Sequence, residues 1–285
     1  DYFMFNSRDL FKPSFSVYGP VTLDNDVSYY GSNNNNGEDE HPAQMVYEAC
    51  QKLASTIDFS QYDSNDDGYV DNIFICYAGM GENDGGGETT IWPHAWVLSG
   101  ESLALTLNGK KIEDYGCSAE YQGNGAITGI GVFCHEFSHL LGLMDSYDVD
   151  YEVNGEGFDL GDWSLMAQGS YNCNENVPPA LTLIERQMLG WSTPLELNVT
   201  GENIQLPQLD TFNVGYIMRT NDPKEYFLLE NRQNKAGSWD EYIPHHGMLI
   251  YHIDKRTDAN IELSYNNQNR TFTFNDLWEL NMVNA

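Results

Sequence analysis

HEFSHLLGLMD, residues 135–145, is the stretch on which the reading of this chain turns. It contains HExxH and extends it to HExxHxxGxxD. His135 and His139 sit four residues apart, so on a helix both imidazoles project from one face and can grip one metal ion. Glu136 stands beside them without being a ligand. A general base must sit there to take a proton from a water that the metal activates. Zinc suits this set because it accepts nitrogen and oxygen ligands, has no redox chemistry and keeps a coordination position open. Gly142 can adopt backbone angles closed to other residues, end the helix and turn the chain. That turn brings Asp145 back as the expected third ligand. A bare HExxH arises by chance in many proteins; the glycine and aspartate at fixed spacing make this one specific. The flank ITGIGVFC, residues 127–134, is small and apolar and predicts a helix packed in the core.

A second element lies downstream. DWSLMA, residues 162–167, follows a Gly- and Asp-rich loop and carries Met166. A lone methionine is usually core filling. Its place after the histidine motif makes Met166 a candidate for a methionine-containing turn beneath the metal.

Bulk properties narrow the function classes. The chain has 285 residues, enough for one large or two modest domains. Lys plus Arg is 13 against 43 Asp plus Glu, a net charge of −30, which disfavours nucleic acid and anionic membranes as partners. No apolar run reaches transmembrane length. The opening residues DYFMFNSRDL lack the basic start and apolar run of a signal peptide, so a processed or trimmed chain is expected. The five cysteines have no CxxC spacing, which argues against a structural zinc cluster. Cys134 reads as buried packing rather than as a nucleophile.

Along the chain, residues 1–30 read as short strands and turns, and 41–57 as an amphipathic helix. Residues 72–78 (NIFICYA) read as a buried central strand. Residues 103–115 contain Asn108-Gly109, a hairpin signal, and segment 103–122 is a candidate edge for an extended substrate. ALTLIERQMLGW, residues 180–191, reads as a helix ending near Gly190. Strands dominate beyond Thr193, with 226–230 and 248–253 the clearest. The organisation expected is a domain over 1–193 with a β-rich extension over 194–285 packed on it.

Asp63, Asn65, Asp67, the Tyr69 carbonyl and Asp71 fall at the alternate oxygen-ligand positions of an EF-hand-type loop, with Gly68 at its sharp turn. A bidentate glutamate at position twelve is missing. Calcium with a structural role is the expectation; an Asx-rich surface turn is the alternative. His94 reads as a satisfied structural histidine, and His245 and His246 as surface residues.

With these segments in view, the chain resembles the peptidase domain of the immune inhibitor A family, secreted bacterial zinc metallopeptidases of metzincin-like type. The resemblance is carried by SVYGPVTL, YDSNDDGYVDNIFICYAG, IWPHAW, TGIGVFCHEFSHLLGLMDSYD, GDWSLMAQGSY, PALTLIERQMLGW, EYFLLENRQ and GMLIYHID, in the family's order across most of residues 15–254. Relatives usually carry glycine where Ser138 stands and proline where Met144 stands. The resemblance implies an α+β, metzincin-like zincin domain: a twisted mixed sheet, an active-site helix and a C-terminal β-rich extension. It also implies zinc on His135, His139 and Asp145, Glu136 as base and Met166 beneath the metal. The function expected is a secreted zinc endopeptidase cleaving proteins or peptides, a monomer, extracellular with cell-surface anchoring as an option. The alternative is a non-catalytic zinc- or calcium-dependent binding or adhesion module.

Overall fold

The computed structural model describes residues 1–147, 159–198, 203–254, 261–265 and 268–272. In chain order the elements are α1 (Tyr2–Ser7), α2 (Val27–Gly31), α3 (Pro42–Leu53), β1 (Ile73–Met80), β2 (His94–Val97), β3 (Leu105–Leu107), β4 (Lys110–Ile112), β5 (Asp114–Tyr121), α4 (Gly131–Leu140), α5 (Leu183–Met188), β6 (Leu195–Glu196), α6 (Leu209–Phe212), β7 (Tyr216–Arg219), β8 (Glu225–Arg232), β9 (Gly247–Asp254), β10 (Ile261–Tyr265) and β11 (Gln268–Phe272). The architecture is mixed α and β. The chain forms two compact units: Phe15–Thr128, and Asp1–Ser14 together with Gly129–Ala285. The position near 193 lies inside the second of these.

In the unit formed by Phe15–Thr128, a three-stranded sheet has the order β1-β5-β2, with β1 parallel and β2 antiparallel to β5. The central strand is therefore β5, not the 72–78 segment. Among the described residues β1 pairs on one edge only, and of its eight residues Tyr77 is the fully buried one, so its apolar run is not sealed on both faces. Segment 103–122 supplies the separate β3–β4 hairpin and the middle strand β5, and the antiparallel edge of the three-stranded sheet is β2. Asn108 and Gly109 make the hairpin turn with φ of 50° and 81°, as Asn-Gly predicts. α3 lays Ala43, Met45, Val46, Ala49 and Cys50 inward at helical spacing. His94 is fully engaged: Nδ1 meets the Trp92 carbonyl at 2.7 Å and Nε2 the Tyr115 hydroxyl at 3.0 Å.

In the other unit, residues 2–7 form a helix where short strands were expected. A four-residue apolar run, Tyr2 to Phe5, cannot separate helix from strand by periodicity, and tertiary contacts decide it here. Tyr2 donates to the Pro179 carbonyl at 2.6 Å and meets Trp239 edge-on, while Phe3 packs against Phe137 of α4. β6 to β9 form a four-stranded sheet, with β6 parallel to β7 and the other neighbours antiparallel. β8 buries every second residue: Tyr226, Leu228, Glu230 and Arg232. The two charges are fully buried and paired. Arg232 Nε donates to Asp240 at 2.7 Å and Nη2 to the Ala180 carbonyl at 2.8 Å; Tyr251 donates to Glu230 at 2.7 Å. No helix among the described residues is long and apolar enough to cross a membrane.

Candidate metal centre

α4 begins where Gly131 presses against the 170–175 backbone. Its N–H donates to the Glu175 carbonyl at 2.8 Å, and a Cβ there would lie 1.8 Å from the Ser170 carbonyl oxygen. Only glycine fits. The helix thus starts four residues later than the apolar flank suggested: Ile127 and Ile130 are exposed, whereas Gly131, Val132 and residues 134–138 are buried. Phe133 stacks on Phe137 and Phe3 packs against it at a tilt, which fixes the rotation of the helix.

The helix ends in a Schellman turn. Gly142, at φ 99°, donates to the His139 carbonyl at 2.9 Å, and Leu143 donates to Ser138 at 3.0 Å. The same turn aims the Leu143 carbonyl at His139 Nδ1, 2.9 Å away. Two residues on, Asp145 returns to the helix. Its Oδ1 lies 3.2 Å from Nε2 of His135 and 3.2 Å from Nε2 of His139, and the two Nε2 atoms are themselves 3.2 Å apart.

That triangle is a test of fit for a metal. Each corner of an equilateral triangle of 3.2 Å side lies 3.2/√3, about 1.8 Å, from its centre, a spacing compatible with His135, His139 and Asp145 jointly holding one zinc ion at its usual ~2.0–2.2 Å bond lengths. The proton inventory agrees. His135 Nδ1 meets the Leu165 carbonyl at 2.8 Å, as His139 Nδ1 meets that of Leu143. A carbonyl only accepts, so each Nδ1 carries the proton, and the neutral tautomer leaves each Nε2 with a lone pair. Asp145 Oδ1 is buried and has no hydrogen-bond donor among the described residues. Three electron-pair donors face one point, and a divalent cation satisfies all of them.

Without an ion, a proton takes that role. Burial alone would lower the His135 pKa, but Asp145 and Glu136 beside it lift it to about 9. Burial raises the Asp145 carboxyl, yet the two imidazoles outweigh it and hold it well below the usual carboxylate range. Glu136 is buried, within 4.8 Å of both histidines, and burial raises its pKa. It does not close the triangle; Asp145 does.

Met166 is completely buried, and its carbonyl accepts the Ser146 N–H at 2.7 Å. The backbone acceptors Leu143 and Leu165 had no sequence signal, since any residue carries a carbonyl. Cys134 is buried and its thiol is pushed up to about 12 by burial, as expected of an inert packing residue. Ser138 is completely buried, and its hydroxyl has no partner among the described residues. Such a group costs about 1–3 kcal/mol. Ser138→Ala should therefore raise stability in urea unfolding by roughly 1 kcal/mol and leave zinc affinity unchanged; a loss of stability would mean the hydroxyl is satisfied.

The acidic loop 63–71 belongs to the other unit. Asp63 accepts N–H groups from Asp67 (3.0 Å) and Gly68 (2.9 Å), Asp67 accepts from Tyr69 (2.8 Å), and Asp71 from Ser64 (3.2 Å). The Lys110 ammonium sits 2.6 Å from Asp63 and holds its carboxyl below the usual range. The turn is thus satisfied by its own backbone and a lysine.

Residues 1–188 match the family model described as the immune inhibitor A peptidase M6 catalytic domain. The chain is 30% identical over 186 residues to the protein named immune inhibitor A of Bacillus thuringiensis subsp. alesti, an alignment covering 55% of this chain and 27% of the relative. It is 29% identical over 195 residues to pre-pro-metalloprotease PrtV of Vibrio cholerae, covering 60% and 21%. The matches span under a third of either relative's length. With the family model matched over roughly two thirds of its length, the chain belongs to the immune inhibitor A peptidase M6 family.

Proposed function

We propose that the chain is the catalytic part of a zinc-dependent endopeptidase of metzincin-like type, with His135, His139 and Asp145 as ligands, Glu136 as general base and Met166 beneath the metal. The observation that carries this reading is the 3.2 Å triangle of Nε2, Nε2 and Oδ1 with both Nδ1 protons committed to carbonyls. When bound, zinc would act as a Lewis acid that lowers the pKa of a coordinated water and polarises a peptide carbonyl. The protein's part is proton handling and rigidity. Glu136 takes the proton from the attacking water at a carboxylate oxygen and returns it to the leaving amine. Leu143 and Leu165 hold the imidazoles in their neutral tautomers. A non-catalytic binding module would have no use for a buried carboxylate beside the histidines, so the enzymatic reading is preferred.

The match ending at residue 188 supports a catalytic domain over 1–193, with 194–285 as a β-rich extension. Protein or peptide substrates and secretion are supported by the naming of a relative as a pre-pro-metalloprotease; a monomeric state is proposed beside them. Calcium at Asp63, Asn65, Asp67, Tyr69 and Asp71 is kept as a proposal in narrower form: the ion must displace Lys110 from Asp63.

The test is digestion of unfolded casein by the zinc-reconstituted chain. Fragments should appear, vanish with a chelator and return with added zinc. Intact casein beside stoichiometric zinc would overturn the enzymatic reading. In the same assay added calcium should raise the temperature of thermal inactivation, and an unchanged midpoint would remove calcium from loop 63–71.

A further inference from the structure

The 164–166 backbone holds two of the three candidate ligands from behind. The Leu165 carbonyl accepts from His135 Nδ1 at 2.8 Å, and the Met166 carbonyl accepts from the N–H of Ser146, directly after Asp145, at 2.7 Å. Whatever fixes this tripeptide fixes both ligands. A main-chain segment cannot do so by itself, because a carbonyl shifted by a few tenths of an ångström still bonds its donor and carries it along.

Ser164 supplies the restraint. It is completely buried, its Oγ accepts the Met166 N–H at 2.9 Å, and its hydroxyl donates in a short bond to Glu185 Oε1. Glu185 is itself buried and cannot wander. Its other oxygen accepts the Thr182 N–H at 2.6 Å, and the Thr182 hydroxyl accepts the Glu185 N–H in return, a reciprocal cap at the start of α5. α5 is tied in turn to the sheet, because the Leu183 N–H donates to the buried Glu230 of β8 at 2.5 Å. A buried carboxylate accepting a hydroxyl and an N–H makes charge-assisted bonds, which are shorter and stronger than neutral ones.

We propose that Ser164 and Glu185 are positioning residues that latch the methionine-bearing turn to α5 and thereby set the placement of His135 and Asp145. The proposal deepens the metallopeptidase reading and rests on it. Neither side chain touches the metal or the substrate. Their contribution is the outer support that holds a ligand's orientation, for which losses of about 10–100-fold in metal affinity are usual.

The experiment measures zinc affinity of the full chain by competition with a chromophoric chelator, and the visible absorption spectrum of the cobalt(II)-substituted protein. Ser164→Ala should weaken zinc binding by about 10–100-fold and alter the cobalt spectrum. Ser192→Ala removes a comparable hydroxyl, which donates to the Asn213 carbonyl at 3.1 Å away from the latch, and should change neither. Glu185→Gln keeps an oxygen that can accept from Ser164 and should bind zinc more tightly than Glu185→Leu; this pair decides the matter if Ser164→Ala does not fold. Wild-type affinity with an unchanged cobalt spectrum in Ser164→Ala overturns the latch, as does an equal loss in Ser192→Ala. A wild-type chain that takes up no zinc overturns the metal reading and the latch together, whereas wild-type binding beside an unaffected Ser164→Ala sinks the latch alone.

Discussion

Glu136→Gln should lower the turnover of an unfolded protein substrate by about 100- to 10,000-fold while leaving zinc content at the wild-type level. The asymmetry follows from the site. Three atoms close the metal triangle, and Glu136 is not among them. Its carboxylate lies within 4.8 Å of both histidines, buried, where a carboxylate without a role is expensive. Glutamine keeps the volume and one acceptor oxygen but cannot take a proton. Zinc quantification by atomic absorption and casein digestion on the same preparation check both halves. Turnover above a tenth of wild type would exclude Glu136 as the base, and loss of zinc would make it a ligand.

Most of the centre could be read from the chain because HExxHxxGxxD is local. A helix fixes the spacing of His135 and His139, and Gly142 takes the positive φ that the turn needs. Asp145 follows within a few residues. What could not be read is what comes from far along the chain. The proton states of His135 and His139 depend on carbonyls, at Leu165 in the first case, and a carbonyl has no residue signature. Glu185 lies in ALTLIERQMLGW, of which Leu183–Met188 is helical rather than the whole run to Gly190, and nothing in that segment says which residue faces Ser164. Glu230 and Arg232 break the apolar alternation of EYFLLENRQ inward, because each finds partners that strand spacing cannot show: Leu183 N–H and the Tyr251 hydroxyl for Glu230, Asp240 for Arg232. The N-terminal helix and the central place of β5 were missed for the same reason: packing against distant segments outweighed local pattern. In the acidic loop, spacing alone suits both an ion and a self-bonded turn; Lys110, 47 residues after Asp63, decides what Asp63 faces here.

Asp145→Asn should weaken zinc binding by more than the ~100-fold that loss of an outer partner costs, and should change how the metal-free protein responds to pH. The amide keeps an oxygen near the two Nε2 atoms but surrenders the charge that offsets the ion. In the metal-free wild type, burial opposes protonation of His135, and Asp145 at 3.2 Å with Glu136 overcomes it, giving a pKa of about 9. That value lies above the ~6.5 of an unfolded histidine. A pKa raised on folding contributes stability that is complete below the unfolded value and is lost as pH rises through the folded one. Metal-free wild type should therefore lose stability between pH ~6.5 and ~9, by up to about 3 kcal/mol at the 1.36 kcal/mol carried by each pKa unit. Asp145→Asn removes the main support for the imidazolium, burial prevails, and the loss over that window should shrink or vanish. Zinc must displace the same proton, so wild-type affinity should climb with pH across this range and level off near 9. In the variant the climb should end at lower pH. Urea unfolding of chelator-treated protein at pH 6 and 9, with zinc titrations at both, reads all of this. An Asp145→Asn protein that binds zinc as tightly as wild type, with the same pH slope, would exclude Asp145 from the ligand set.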